Sequence, residues 1–266
     1  MISRFLLFAS VLLLALGLAA SPARATWSIV AVDPISREVG AAAATCTVGV
    51  EIIYGGVPGK GVILAQAATN LRARDRGVEM IAAGASPGEV ISLVASEAFN
   101  PGGLWRAPWK EQQYGVAVLG AEPAASPFTG TDTVPWSGAR AEGNVSVQGN
   151  MLHGAAVVEA AFREFRRSGQ SQRCRPSLAE RLLRALEAGA EHGGDNRCPN
   201  ERAALTAFLA VTRPDDSERE PALFLVAPRA FGILGSIRHM LFPYAPSDET
   251  PPAVRQLREM YETWVT

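Results

Sequence analysis

Ala23-Arg24-Ala25-Thr26-Trp27-Ser28-Ile29-Val30-Ala31-Val32-Asp33-Pro34 joins two different kinds of sequence. Upstream, Arg4 precedes an apolar run from Phe5 to Ala20, and small residues stand at Ala23 and Ala25, the positions a signal peptidase reads. An export signal over residues 1–25, cleaved after Ala25, is therefore expected. Downstream the chain alternates, with Ser28, Val30 and Val32 on one side and Trp27, Ile29 and Ala31 on the other. That period of two is a strand signal, and Asp33-Pro34-Ile35-Ser36-Arg37-Glu38 reads as the turn that ends it. Cleavage after Ala25 would make Thr26 the first residue of the mature chain.

An N-terminal threonine carries nucleophile and base together. Its hydroxyl attacks poorly on its own, but its α-amine lies two bonds away and accepts the proton. An α-amine titrates at roughly 7.7–8.0, well placed for a base near neutral pH. The plainer reading stays open at this point: Thr26 is simply the small residue that follows a signal.

Composition narrows the function classes. The 25 Lys+Arg and 26 Asp+Glu give a formal net charge of −1, which offers no footprint for nucleic acid. A hydrophobic content of 48% suits an ordinary soluble core over residues 26–266, with no linker-like stretch to divide it. The apolar run of the signal is short for a membrane span and no later stretch approaches one, so no membrane anchor is expected. Three cysteines are an odd set for an oxidising compartment. Cys174 and Cys198 flank one predicted helix in polar sequence and are the expected disulfide, with Cys46 left as a buried thiol.

Taken in order, strands are expected over 26–32, 40–48, 62–68, 114–119, 124–130, 144–148, 205–211 and 222–227. Tyr54-Gly55-Gly56-Val57-Pro58-Gly59-Lys60-Gly61 has the look of a phosphate-binding loop but fails its spacing at both ends, which removes nucleotide binding. Helices are expected over 74–83, from the Ser86-Pro87-Gly88-Glu89 cap onward, over 154–167, from the Ser177/Glu180 cap onward, and over 253–264. Trp105 and Trp109 either wall a pocket or cover an edge of the core. No histidine has companions at ligand spacing, so no metal and no cofactor are expected. Paired helices after the third strand and again after Gln148 fit an α+β fold of two stacked antiparallel sheets with helices outside, though other α+β arrangements share this order.

Thr26–Pro34 resembles the opening of an uncharacterised bacterial family, domain-of-unknown-function family 1028, which is grouped with the N-terminal-nucleophile (Ntn) hydrolases. The resemblance continues through Gly61–Asn70, Gln113-Tyr114-Gly115-Val116, Phe128-Thr129-Gly130 and Val134-Pro135-Trp136-Ser137-Gly138. It is strongest at Val147-Gln148-Gly149-Asn150-Met151-Leu152 and at Leu178–Gly189 with Gly193-Gly194-Asp195. It implies a four-layer αββα sandwich with Thr26 at the mouth of a cleft between the sheets. It also implies attack of Thr26 on an amide carbonyl, an acyl-enzyme, and release by water.

Within that frame Asn150 and Gln148 join Thr26 as catalytic candidates, because their amides can donate to an oxyanion. Thr45, Gln66 and Asn70 lie at the ends of inner strands and are candidate substrate or oxyanion contacts. Asp33 either orients the active end or shapes a turn, and Asp195 is a ligand contact or, preferentially, a loop organiser. Two departures from the family stand out: Gln112-Gln113 where Arg-Gln is common, and Asn196-Arg197-Cys198-Pro199 where Arg-Gly follows Gly-Gly-Asp. The second suggests an exported variant that gained a disulfide. The expected function is an exported hydrolase of a small or peptide-like amide, possible as a homo-oligomer. The alternative is a non-catalytic binding module for a small molecule or cell-wall fragment.

Overall fold

The computed structural model describes residues 26–103, 106–170, 175–198, 202–217, 220–227 and 251–266. The expected signal, Cys174 and Trp105 lie outside the described residues. The strands are β1 (Thr26–Val32), β2 (Val39–Thr45), β3 (Tyr54–Val57), β4 (Gly61–Ala67), β5 (Gln112–Val118), β6 (Ala124–Thr129), β7 (Gly138–Glu142), β8 (Val145–Asn150), β9 (Thr206–Thr212) and β10 (Leu223–Ala227). The helices are α1 (Leu71–Ala82), α2 (Pro87–Val94), α3 (Ala155–Ser168), α4 (Leu178–Glu191) and α5 (Ala253–Val265).

β1 lies at the centre of a six-stranded sheet ordered β10-β9-β2-β1-β8-β7, and a second sheet runs β3-β4-β5-β6. Every pairing is antiparallel. The alternation of β1 sorts its side chains into two layers. Trp27, Ile29 and Ala31 pack with Val157, Phe165, Leu182 and Leu186 under α3 and α4. Val30 and Val32 pack with Val62, Leu64 and Ala117 between the sheets. A third apolar layer joins Ile63, Ala65 and Val116 of the smaller sheet to Ile81, Val90 and Val94 of α1 and α2. The result is a four-layer α/β/β/α sandwich.

Two glycines of the family-like segments explain themselves against Trp27, which is fully buried and donates Nε1–H to the Leu186 carbonyl at 3.3 Å. A Cβ at Gly189 would stand 2.6 Å from that Nε1, and one at Gly194 would stand 2.8 Å from Cη2 on a backbone already at φ +57°. Burial of such a ring contributes on the order of 5 kcal/mol, so α4 and the loop after it are shaped around one side chain of β1.

Ser86 and Glu89 form the expected capping box on α2. At α4 only half of the expected box forms: Ser177 accepts from the Glu180 amide, while the Glu180 carboxylate turns to Arg184 at 2.5 Å and Arg258 at 2.7 Å. β3 and β7 were not expected as strands. Gly55 and Gly56 look like loop residues, yet a Cβ at Gly55 would meet Val78 Cγ2 at 2.6 Å, so glycine there lets α1 pack on the strand.

The disulfide also differs from expectation. Cys198 is joined to Cys46, with Cα atoms 5.5 Å apart, so Cys46 is not a buried thiol and Cys174 is not the partner of Cys198. The reason is tertiary. Leaving β2, the chain turns at Cys46 toward Asp195, whose Oδ2 accepts the Cys46 amide at 2.7 Å, and this seats the two cysteines together. Among the described residues no helix is long and apolar enough to cross a membrane.

Candidate functional site

The layer between the two sheets is apolar at one end and polar at the other. On the same faces that carry Val30, Ala43, Leu64 and Ala117, the strands turn to Thr26, Ser28, Thr45, Gln66, Gln113, Ser146, Gln148 and Asn150. All eight are buried, at 3% exposure or less. Buried amides and hydroxyls each cost several kcal/mol unless paired, and here they pair with one another across the sheets.

The chain of contacts starts deep and runs toward Thr26. Ser146 Oγ donates to Gln148 Oε1 at 2.8 Å, and Gln148 Nε2 donates to Ser28 Oγ at 2.7 Å. Ser28 Oγ donates across to Gln66 Oε1 at 2.6 Å. Gln66 Nε2 then reaches both Gln113 Oε1 at 2.7 Å and the Thr26 carbonyl at 3.3 Å. Gln113 Nε2 donates to the Gly149 carbonyl at 2.9 Å and to Thr129 Oγ1 at 2.8 Å, and its Oε1 also accepts from Asn150 Nδ2 at 3.1 Å. Each amide orientation is fixed by the next, as a satisfied network requires.

Register places Asn150 directly opposite Thr26 in the β1–β8 ladder, and extending the β1–β2 ladder from Trp27↔Ala44 by one step sets Thr45 on its other side. Opposed side chains in such pairs stand about 5 Å apart at Cβ. Thr26 thus sits between Thr45 and Asn150 on one sheet, above Gln66 and Gln113 of the other. The residues just past two of these side chains, Ala67 at φ 64° and Met151 at φ 51°, hold left-handed backbone without being glycine. Such conformations cost about 1–3 kcal/mol and cluster where geometry serves a function. Thr69 Oγ1, on the loop leaving β4, is buried with no hydrogen-bond partner.

Of the candidates from sequence, Thr26, Gln66, Thr45 and Asn150 come together. Gln148 lies two residues deeper, committed to Ser28 and Ser146, where it braces the network. Asn70 caps α1, accepting from the Ala73 amide at 3.0 Å and donating to Asn100 Oδ1 at 2.6 Å. Asp195 is fully buried under the Cys46 amide and the Arg197 guanidinium, at 2.7 and 2.8 Å. Asp33 follows the far end of β1, about 23 Å from Thr26 at the usual rise of a strand, and pairs with Arg175 and Arg181. Gln112, the departure from the family pattern, is enclosed by Tyr114, Asn70 and the Ala107 carbonyl. Burial pushes the Tyr114 phenol well above its ordinary range, so it stays a neutral donor to Gln112.

Sequence reading did not single out Ser28 or Gln113 as site residues. Their signal was present: a serine and a glutamine break otherwise apolar alternation on the inward faces of β1 and β5. Gly115 is the glycine this network demands, since a Cβ there would fall inside the Gln148 amide. Gly115→Ala is expected to cost about 1–3 kcal/mol by overpacking and to weaken any activity of the site; a melting temperature equal to the wild type would contradict that placement.

A two-sheet sandwich with a buried, cross-sheet amide network at the start of its central strand defines the class of protein. The chain belongs to the family of unknown function DUF1028, whose profile matches residues 26–225. Among solved structures it is similar to the crystal structure of protein SPO2555 from Silicibacter pomeroyi, a DUF1028 protein, with a TM-score of 0.65 and 22% identity over 91% of this chain and 90% of that one. No curated protein matches.

Proposed function

We propose that this chain is an exported hydrolase of an amide bond in a small or peptide-like substrate, working as an N-terminal-nucleophile enzyme through Thr26. The observation that carries the reading is the position of Thr26, first residue of the central strand, opposite Asn150 and at the head of the Gln66–Gln113 network. Removal of residues 1–25 would give Thr26 a terminal α-amine. That amine takes the proton from Thr26 Oγ as the oxygen bonds to the substrate carbonyl carbon, and the carbonyl becomes an oxyanion. Asn150 Nδ2 is the side-chain amide best placed to donate to it, since Gln113 Oε1 fixes its orientation. Collapse passes the proton to the departing amine and leaves an ester on Thr26. Water, activated by the same α-amine, then releases the acid.

A bond between Cys46 and Cys198 supports export, because such bonds persist in oxidising compartments. The test is the intact mass and N-terminal sequence of the protein exported under its own signal, followed by an amide-substrate screen. A chain beginning at Thr26 with turnover upholds the proposal. A different terminus, or binding without any product, replaces it with a non-catalytic binding module.

A further inference from the structure

At the end of the sandwich away from Thr26, an open pocket of about 430 Å³ is lined by Arg166, Arg175 and Arg181 together with Gly143, Asn144 and Gly169. Among the described residues, the carboxylates that meet these arginines are Asp33 and Glu142. Asp33 accepts from Arg175 at 3.1 Å and from Arg181 at a long 3.4 Å, while Glu142 takes Arg166 at 3.0 Å. Among the described residues, three cations thus face two anions.

The donors are also incompletely used. Arg181 is 4% exposed at its side chain, and its Nε has no hydrogen-bond partner; Arg175 Nε is likewise buried and unpartnered. A buried, unsatisfied guanidinium N–H costs more than an unsatisfied neutral group, and both arginines belong to the lining of this pocket. The Arg181 guanidinium is held in place by Phe165, 4.2 Å below it, and by Gly169, where a Cβ would stand 2.8 Å from Nη2. Burial, with the charges of Arg175 and Arg166, pushes Arg181 down to about 10 although Asp33 opposes this.

We propose that this pocket binds a compact oxyanion, a phosphate or carboxylate group, held between the Arg175 and Arg181 guanidiniums. Planar guanidinium forks match both groups with paired N–H donors, and a single negative charge would balance the pocket. This goes beyond the amide-hydrolase reading and does not depend on it, since the two sites lie at opposite ends of β1.

Thermal unfolding of the full protein, titrated with sodium phosphate and separately with sodium acetate against sodium chloride of equal ionic strength, tests it. A saturable rise in melting temperature above the chloride control is expected from at least one oxyanion, and which salt acts tells phosphate from carboxylate. Arg175→Gln, on the loop before α4, should weaken the apparent affinity at least about tenfold through loss of a charge-assisted donor pair. Gly169→Ala, which keeps every charge but crowds Arg181, should weaken it as well, and decides the matter should Arg175→Gln fail to fold. No rise above chloride with either salt, or equal responses in wild type and in the folded variant, would overturn the proposal.

Discussion

Thr26→Val should abolish amide turnover, lowering kcat/KM by at least about a thousandfold, roughly 4 kcal/mol of transition-state stabilisation. Valine keeps the shape and β-branching of threonine, so β1 loses no packing and its ladders to β2 and β8 stay intact. The Gln66 amide still meets the residue 26 carbonyl, which belongs to the backbone. Melting temperature should therefore move by only a few degrees, the usual result of losing one hydroxyl contact. Thr26→Ser keeps the nucleophile and should retain measurable turnover. Acetylation of the mature terminus should silence the wild type as fully as Thr26→Val, because the amine is the proposed base. Full activity in either the valine variant or the acetylated protein would end the nucleophile reading, while loss of activity with a collapsed melting temperature would point to a structural role for the strand opening.

What the sequence disclosed and what it hid follow from how far each interaction reaches. β1 was legible because one strand's alternation already states both of its environments, Trp27 toward α4 and Val30 toward the other sheet. The Ser86/Glu89 cap was legible for the same local reason. β7 was not, since Gly138-Ala139-Arg140-Ala141-Glu142 is a half-exposed edge with no apolar face to betray it. β3 was hidden by Gly55 and Gly56, whose smallness answers to α1 and Tyr54 rather than to a turn. The polar site was half visible. Thr26, Gln66 and Asn150 could be named one by one, but that Gln66 and Gln113 meet Thr26 and Asn150 depends on which sheet faces which. Asp33 and Asn70 attracted attention as polar residues beside strand ends, and the fold gives them an ion pair at the far end and a helix cap. The family resemblance supplied the order of the motifs, and the pairing of their side chains came only with the packed sheets.

Loss of the Cys46–Cys198 bond should destabilise the molecule strongly. The two cysteines are 152 residues apart, and closing a loop of that length restricts the unfolded chain by about 5 kcal/mol in the chain-entropy model. For a chain of this size each kcal/mol moves the melting temperature by roughly 2–4 °C, so Cys46→Ser/Cys198→Ser should melt roughly 10–20 °C lower. The expectation from sequence, a bond within the short 174–198 loop, carries a smaller effect because loop closure grows with the logarithm of length. Reductant should reproduce the fall in the wild type and leave the double variant unmoved. Asp195 provides a second, non-covalent tie between the same segments, accepting the Cys46 amide and pairing with Arg197 at 2.8 Å. Asp195→Asn should therefore cost less in the oxidised protein than in the double serine variant, since the covalent link holds the loops when the ionic one weakens. Thr45, one residue before Cys46, flanks Thr26, so the doubly loosened protein should also show a raised KM well below its melting point. Additive costs for Asp195→Asn in the two backgrounds, or a melting temperature indifferent to reductant, would show that the two ties do not share the task of fixing that wall of the site.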